Sequence, residues 1–170
     1  NEFIRTLLRQ YTDGGQLPIW ELAANYTGCM IGYHAIPVIV DAYMKGLRDY
    51  DAKLALKAMV NSAMQNNLGL KAYRENGFIT ASDEPESVSK HLEYSYDDWC
   101  IALIADSLGE AEIASNFYQR GQFYKNLFDP STRFFRAKKS HTWFAPFRPE
   151  EVNFNYTEAN AWQYSLFVPQ

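Results

Sequence analysis

The chain has 170 residues, enough for one domain with a sizeable core, and 47% of them are hydrophobic, which excludes a disordered chain. A net charge of −4 leaves no basic footprint and argues against nucleic acid as the main partner. No run of 18 apolar residues is present, so no membrane span is expected. No signal peptide is visible either, and both ends look cut, so compartment does not follow from that absence.

In chain order, Glu2 to Gln10 has apolar residues at helical spacing, and Tyr11 to Pro18 is a turn-rich connection. Thr27 suits the N-cap of a helix over Gly28 to Lys45, with Gly46 as its stop and Pro37 as a kink. That helix is apolar nearly all round and should be buried, and Asp41 within it should need a partner. Asp51 to Asn66 is amphipathic and Asn67 to Gly69 ends it. Tyr73 to Pro85 is polar and loop-like. Ser87 starts a helix that ends at Gly109, and Glu110 to Leu127 is a further amphipathic helix stopped by Asp129-Pro130. Phe134 to Asn155 is irregular and aromatic. Thr157 suits the N-cap of a last helix, Glu158 to Phe167, closed by Pro169.

About six helices and no convincing strand give an all-α chain. Buried helices alternate with amphipathic ones, as consecutive helical hairpins of a double-layered helical barrel would. No short repeat is visible, which disfavours a regular solenoid. Cys29 and Cys100 both sit in apolar contexts. Two buried free thiols or one disulfide both suit them.

Chemistry gathers in three places. Glu93 and Asp97 are four residues apart and share a helix face, with Asp98 beside them and Tyr94 and Trp99 as candidate walls. Close carboxylates and burial raise a carboxyl's pKa, which a general acid needs near neutral pH. The same acids also suit a solvated first turn that complements a helix dipole. Within YTEANAWQY, Glu158, Asn160 and Gln163 offer oxygen atoms that suit calcium or sugar hydroxyls, and equally a plain capped helix start. In GGQLPIW and TGCMIGYH, Trp20 could stack on a sugar ring, whereas a lone His34 on an apolar helix more often satisfies a core. The spacing of His34, His91 and His141 shows no metal-ligand motif. Asn25 and Asn155 both fit the N-glycosylation pattern, although they precede expected helix starts where Asn and Thr serve as caps.

Together, GGQLPIWELAANYTGCMIGYHAIPVIVDAYMKG, SVSKHLEYSYDDWCIALIADSLG, FYKNLFDPSTRFFR and NYTEANAWQYSLFVP closely resemble glycoside hydrolase family 92, the exo-acting, calcium-dependent, inverting α-mannosidases. The resemblance runs from about Gly14 to Pro169, with the motifs in family order. It implies that residues 1–170 are the central part of an (α/α)6 catalytic domain, an incomplete toroid. A preceding β-sandwich and the C-terminal part of the barrel lie outside the chain. It further implies that the parent hydrolyses terminal α-linked mannose from mannans or N-glycans, with Ca2+ and with inversion. Such a substrate implies a periplasmic, cell-surface or secreted enzyme.

By the same resemblance, Glu93 in LEYSYDDW is the general acid. Trp20, His34, Trp99, Glu158 and Asn160 would lie at the sugar, and Glu158, Asn160 and Gln163 would lie at the calcium. The family's proposed base belongs to a Gly-Asn-Asp motif that does not occur before Gln170, so the fragment alone is expected to be inactive. Ala159 stands where the family usually has Gly, Gly121 stands where it usually has Ala, and Pro169 is followed by Gln170 rather than His-Asp. A different class of function, a non-catalytic helical module that binds sugar or pairs with another domain, also suits the bare helices.

Overall fold

One helix, Ser87–Ser107, runs through the centre of the protein, and most of its residues are buried, including Lys90, His91, Glu93, Asp97 and Asp98. A computed structural model describes residues 1–170. In chain order the helices are α1 (Glu2–Gly14), α2 (Ala35–Met44), α3 (Ala52–Ala63), α4 (Leu70–Asn76), α5 (Ser87–Ser107), α6 (Ala111–Arg120) and α7 (Ala161–Tyr164). A 3-10 turn, Phe123–Leu127, follows α6. Three antiparallel two-residue ladders add short hairpins: Glu21–Leu22 with Asn25–Tyr26, Phe128–Asp129 with Phe134–Phe135, and Lys138–Lys139 with Thr142–Trp143.

Helix α5 packs on α2, α3 and α6. Its later turns (Ile101, Ile104, Ala105) join Ile36 and Ile39 of α2, Met59 of α3 and Phe117 of α6 in the main core. Its first turns (Val88, Leu92) join a smaller cluster with Leu127, Phe135, Tyr156 and Ala161. Glu93 follows Leu92 and precedes Tyr94, so it stands where the two cores meet. Lys90, buried at the same end, is ion-paired with Glu84 on the loop before the helix.

Several expected boundaries move, each for a local physical reason. Residues 28–34 do not continue α2, because Gly28 and Gly32 take positive φ (63° and 75°) and the Tyr33 N–H is bonded to Asp97 on α5. Helix α2 therefore starts at Ala35, and Pro37 falls in its first turn. There the missing N–H costs nothing, so no kink is required. Val38 is exposed on that helix, and Asp41 is a surface residue paired with Lys45 at 2.8 Å rather than a buried group. The expected loop at Tyr73 begins instead inside α4, whose Leu70 and Tyr73 are buried. The last helix shortens to Ala161–Tyr164, because Thr157 gives its N–H to Ser89 Oγ at 2.8 Å and Glu158 takes φ 51°. Cys29 is exposed and Cys100 buried, and both thiols are free.

His91 is fully buried on α5. Its Nε2 lies 2.7 Å from the Phe123 carbonyl, while Nδ1 has no partner. Burial pushes the imidazole down to about 4, so it stays neutral in the fold. An unfolded chain binds a proton there below about 6.5. Its contribution to stability is therefore complete above that pH and is lost as pH falls towards 4, a swing on the order of 3 kcal/mol. Substituting His91→Gln, which keeps a donor for Phe123, is expected to flatten the fall of the parent's thermal midpoint between those two pH values. A variant curve parallel to the wild type would contradict this account.

Candidate active site

Helical periodicity places Ser89, Glu93 and Asp97 on one face of α5. Two segments converge on that face. From one side the loop after the first hairpin brings in Gly32, Tyr33 and His34. From the other, the C-terminal segment is fastened by the Thr157–Ser89 bond one turn before Glu93.

The His34 ring lies between two carboxylates. Its Nε2 is 2.8 Å from Glu93 Oε2 and its Nδ1 is 2.9 Å from Asp97 Oδ1. The other Asp97 oxygen accepts the Tyr33 N–H at 2.9 Å. Behind them Asp98 accepts the Tyr33 hydroxyl at 2.7 Å and the Arg120 guanidinium at 2.7 and 3.2 Å. Burial pushes Asp98 up to about 6 even against Arg120. Burial also raises Glu93; the hydrogen bond and charge of His34 pull it back, and the charge of Asp97 adds to the rise. Glu93 is thus a mostly desolvated carboxyl held at a half-exposed imidazole, while Asp97 and Asp98 are fully inside.

Trp20 and His34 line one side of a depression of about 530 Å³, together with Pro18, Ile19, Glu21 and Val38. A second depression, about 480 Å³, is lined by Glu86, Asn153, Phe154, Tyr156 and Glu158. Glu158 and Trp162 are exposed. Asn160 Oδ1 accepts the Gln163 N–H at 3.2 Å, and Gln163 Oε1 accepts the Asn160 N–H at 3.0 Å, a reciprocal capping box for α7. Both amide oxygens are therefore engaged in starting the helix, and Glu158 is the only carboxylate of the three. Calcium takes six to eight oxygens. These residues do not make a calcium shell by themselves, and no group of three or more His, Cys, Asp or Glu forms one here.

One aromatic assignment changes. Tyr94 is no wall of the site: it is buried, stacked on Tyr33 with ring centroids 5.0 Å apart, and its hydroxyl donates to the Leu68 carbonyl at 2.8 Å. Trp99 lies roughly 120° round α5 from Glu93. It packs towards the end of α6, where a Cβ on Gly121 would approach Trp99 Cβ to 3.0 Å, and it is partly buried against the main core. The Tyr33 hydroxyl and Arg120 were missed from sequence. Arg120 was legible as a basic residue within an amphipathic helix, but no spacing rule ties it to Asp98.

The family model "Glycosyl hydrolase family 92 catalytic domain" matches residues 1–170. The family GH92 α-mannosidase BT3965 from Bacteroides thetaiotaomicron superposes with a TM-score of 0.94 at 39% identity, over 99% of this chain and 23% of its own. The family GH92 inverting mannosidase BT2199 from the same organism gives 0.91 at 33% identity, over 97% and 24%. An uncharacterized secreted glycosidase of Arthroderma benhamiae is 29% identical over 86% of this chain and 21% of its own length. The chain thus spans between a fifth and a quarter of each relative.

Proposed function

The chain belongs to glycosyl hydrolase family 92, and from that premise we propose that its parent cleaves terminal α-linked mannose with inversion, using Glu93 as the proton donor. One observation carries the assignment. Glu93 is the carboxyl that burial raises while it stays in reach of a half-exposed ring at the rim of a depression, which is what a general acid requires. Structures of similar mannosidases support the substrate class, among them BT3965 in complex with mannoimidazole, 37% identical with a TM-score of 0.93.

Within this reading, Glu93 gives its proton to the glycosidic oxygen as the bond to the sugar breaks. The base must stand about 6.5–9.5 Å from it across the ring, with a water between. Neither neighbouring acid can fill that place. Asp97 has both oxygens bonded and Asp98 is clamped by Arg120; the resemblance to the family implies that the base belongs to a Gly-Asn-Asp motif, which residues 1–170 do not contain. Trp20, half open beside His34, offers a flat face for the sugar. Secretion of the Arthroderma relative supports export of the parent.

Calcium dependence is part of the same proposal, with most of the oxygen donors coming from beyond Glu158, Asn160 and Gln163. Chelation by EDTA is expected to abolish the parent's mannosidase activity, and added Ca2+ to restore it; activity that survives chelation removes calcium from the reading. The acid assignment is tested by Glu93→Gln in the parent, assayed on oligosaccharides and on a dinitrophenyl mannoside whose leaving group needs no proton. Equal rates for wild type and variant on oligosaccharides would refute it.

A further inference from the structure

His34 has no nitrogen to spare for a sugar. Both ring nitrogens are held by carboxylates of α5, at 2.8 Å from Glu93 and 2.9 Å from Asp97. The placement is enforced from three directions. Asp97 also accepts the Tyr33 N–H, and Asp98 holds the Tyr33 hydroxyl, so the residue before His34 is fastened at both ends. Gly32, at φ 75°, supplies the turn, and a Cβ there would come within 2.5 Å of His34 Nε2. The ring therefore occupies space that only glycine leaves open. Its side chain is 41% exposed, whereas those of Glu93 and Asp97 are 11% and 0% exposed. The imidazole is the group that connects the buried carboxyl with solvent.

We propose that His34 is the positioning residue that keeps Glu93 supplied with its proton, with Asp97 holding the ring so that Nε2 faces the acid. This rests on Glu93 being the proton donor. His34 and Glu93 share one proton, which resides either on Nε2 beside an ionised Glu93 or on Glu93 beside a neutral ring. The two arrangements carry the same net charge, so the proton can cross 2.8 Å without charging a buried site. When the acid acts, the Nε2–H bond breaks and an O–H bond forms on Glu93. That proton then passes to the glycosidic oxygen, which keeps the electron pair of the broken C–O bond. The pair afterwards regains one proton from solvent through the exposed ring.

The surrounding charges favour this sharing. Burial alone would lower His34, but its hydrogen bonds to Asp97 and Glu93 carry it up to about 10. Beneath it the Asp98–Arg120 pair is internally matched. Glu21 shares the depression with the ring, and on the C-terminal side burial, with the charge of Glu93 adding to it, raises the Tyr164 hydroxyl. Carboxylates thus outnumber cations around the ring, and the last proton of the pair is held through neutral pH. Without His34, Glu93 is freed of the hydrogen bond and charge that lower it, but the pair loses the ring nitrogen that holds its last proton up to about 10.

The test uses the full-length parent with His34→Gln, which fills the space and donates a hydrogen bond but cannot carry the proton, and with His34→Ala. On oligosaccharides, His34→Gln is expected to lower kcat about tenfold or more with a much smaller change in KM, and to move the alkaline limb of the kcat profile down by about one unit or more. On a dinitrophenyl mannoside its loss should be far smaller. Added imidazole should recover activity on oligosaccharides in His34→Ala. An unmoved alkaline limb, or equal losses on both substrates, overturns the proposal. If Glu93→Gln discriminates between the two substrates while His34→Gln does not, only the role of His34 falls. If Glu93→Gln does not discriminate, the general-acid reading falls first.

Discussion

Glu93→Gln in the parent is expected to lower kcat/KM on mannose oligosaccharides by about 10²–10⁴-fold, which corresponds to roughly 3–5 kcal/mol of transition-state stabilisation. The loss should shrink sharply when the departing group is a dinitrophenolate, since that anion leaves without a proton. The substitution is close to isosteric and removes a charge from a mostly buried position beside His34. Folding is therefore not expected to suffer, and unchanged thermal unfolding would separate the chemical loss from a structural one. The rate loss and its dependence on leaving group, measured together on purified parent, decide the assignment.

Arg120→Met is expected to produce the largest loss of stability, about 3–5 kcal/mol, because it strands Asp98. Asp98 is fully buried, and Arg120 supplies two of its hydrogen bonds. Arg120 also donates to the Ala63 carbonyl at 3.1 Å, with its guanidinium 4.5 Å from the Phe117 ring centroid. Without it, Asp98 keeps the Tyr33 hydroxyl and must take up a proton. The double variant Arg120→Met with Asp98→Leu should lose less than Arg120→Met alone, since replacing both members of a buried pair is often near neutral. Urea or thermal unfolding of the parent checks this, and a double variant as unstable as the single would show that Arg120 acts through packing rather than charge. Activity should fall too, because Asp98 anchors Tyr33 and Tyr33 precedes His34 in the loop.

The helical character of the chain was legible from spacing in α1, α3, α5 and α6, where an apolar stripe and a stopping residue lie within the segment itself. It misled at residues 28–34 and 157–160. Those stretches are apolar or well capped on paper, yet their N–H groups are drawn to α5: Tyr33 to Asp97, and Thr157 to Ser89. A helix forms only where its backbone donors have no better partner, and partners from distant sequence do not enter a local pattern. Pro37 shows the same dependence on context. It kinks a helix interior, but the helix begins two residues before it, so the ring falls where no donor is needed.

The site divides along the same line. Sequence alone determined that this is a helical chain, that an acid-bearing stretch at Glu93 to Asp98 leads its buried central helix, and that its motifs resemble one hydrolase family. These properties are carried by residues close together in the chain. The tertiary structure alone decided what each acid does. Sixty or so residues separate Tyr33 and His34 from the carboxylates they bind, and Arg120 reaches Asp98 from the next helix. Three acids of one short stretch thereby become three different groups: Asp98 neutralised by a cation, Asp97 holding a ring, and Glu93 raised by burial beside the half-exposed His34 ring. Charge environment depends on distance in space, and α5 is where the separate segments of the chain come within hydrogen-bonding range.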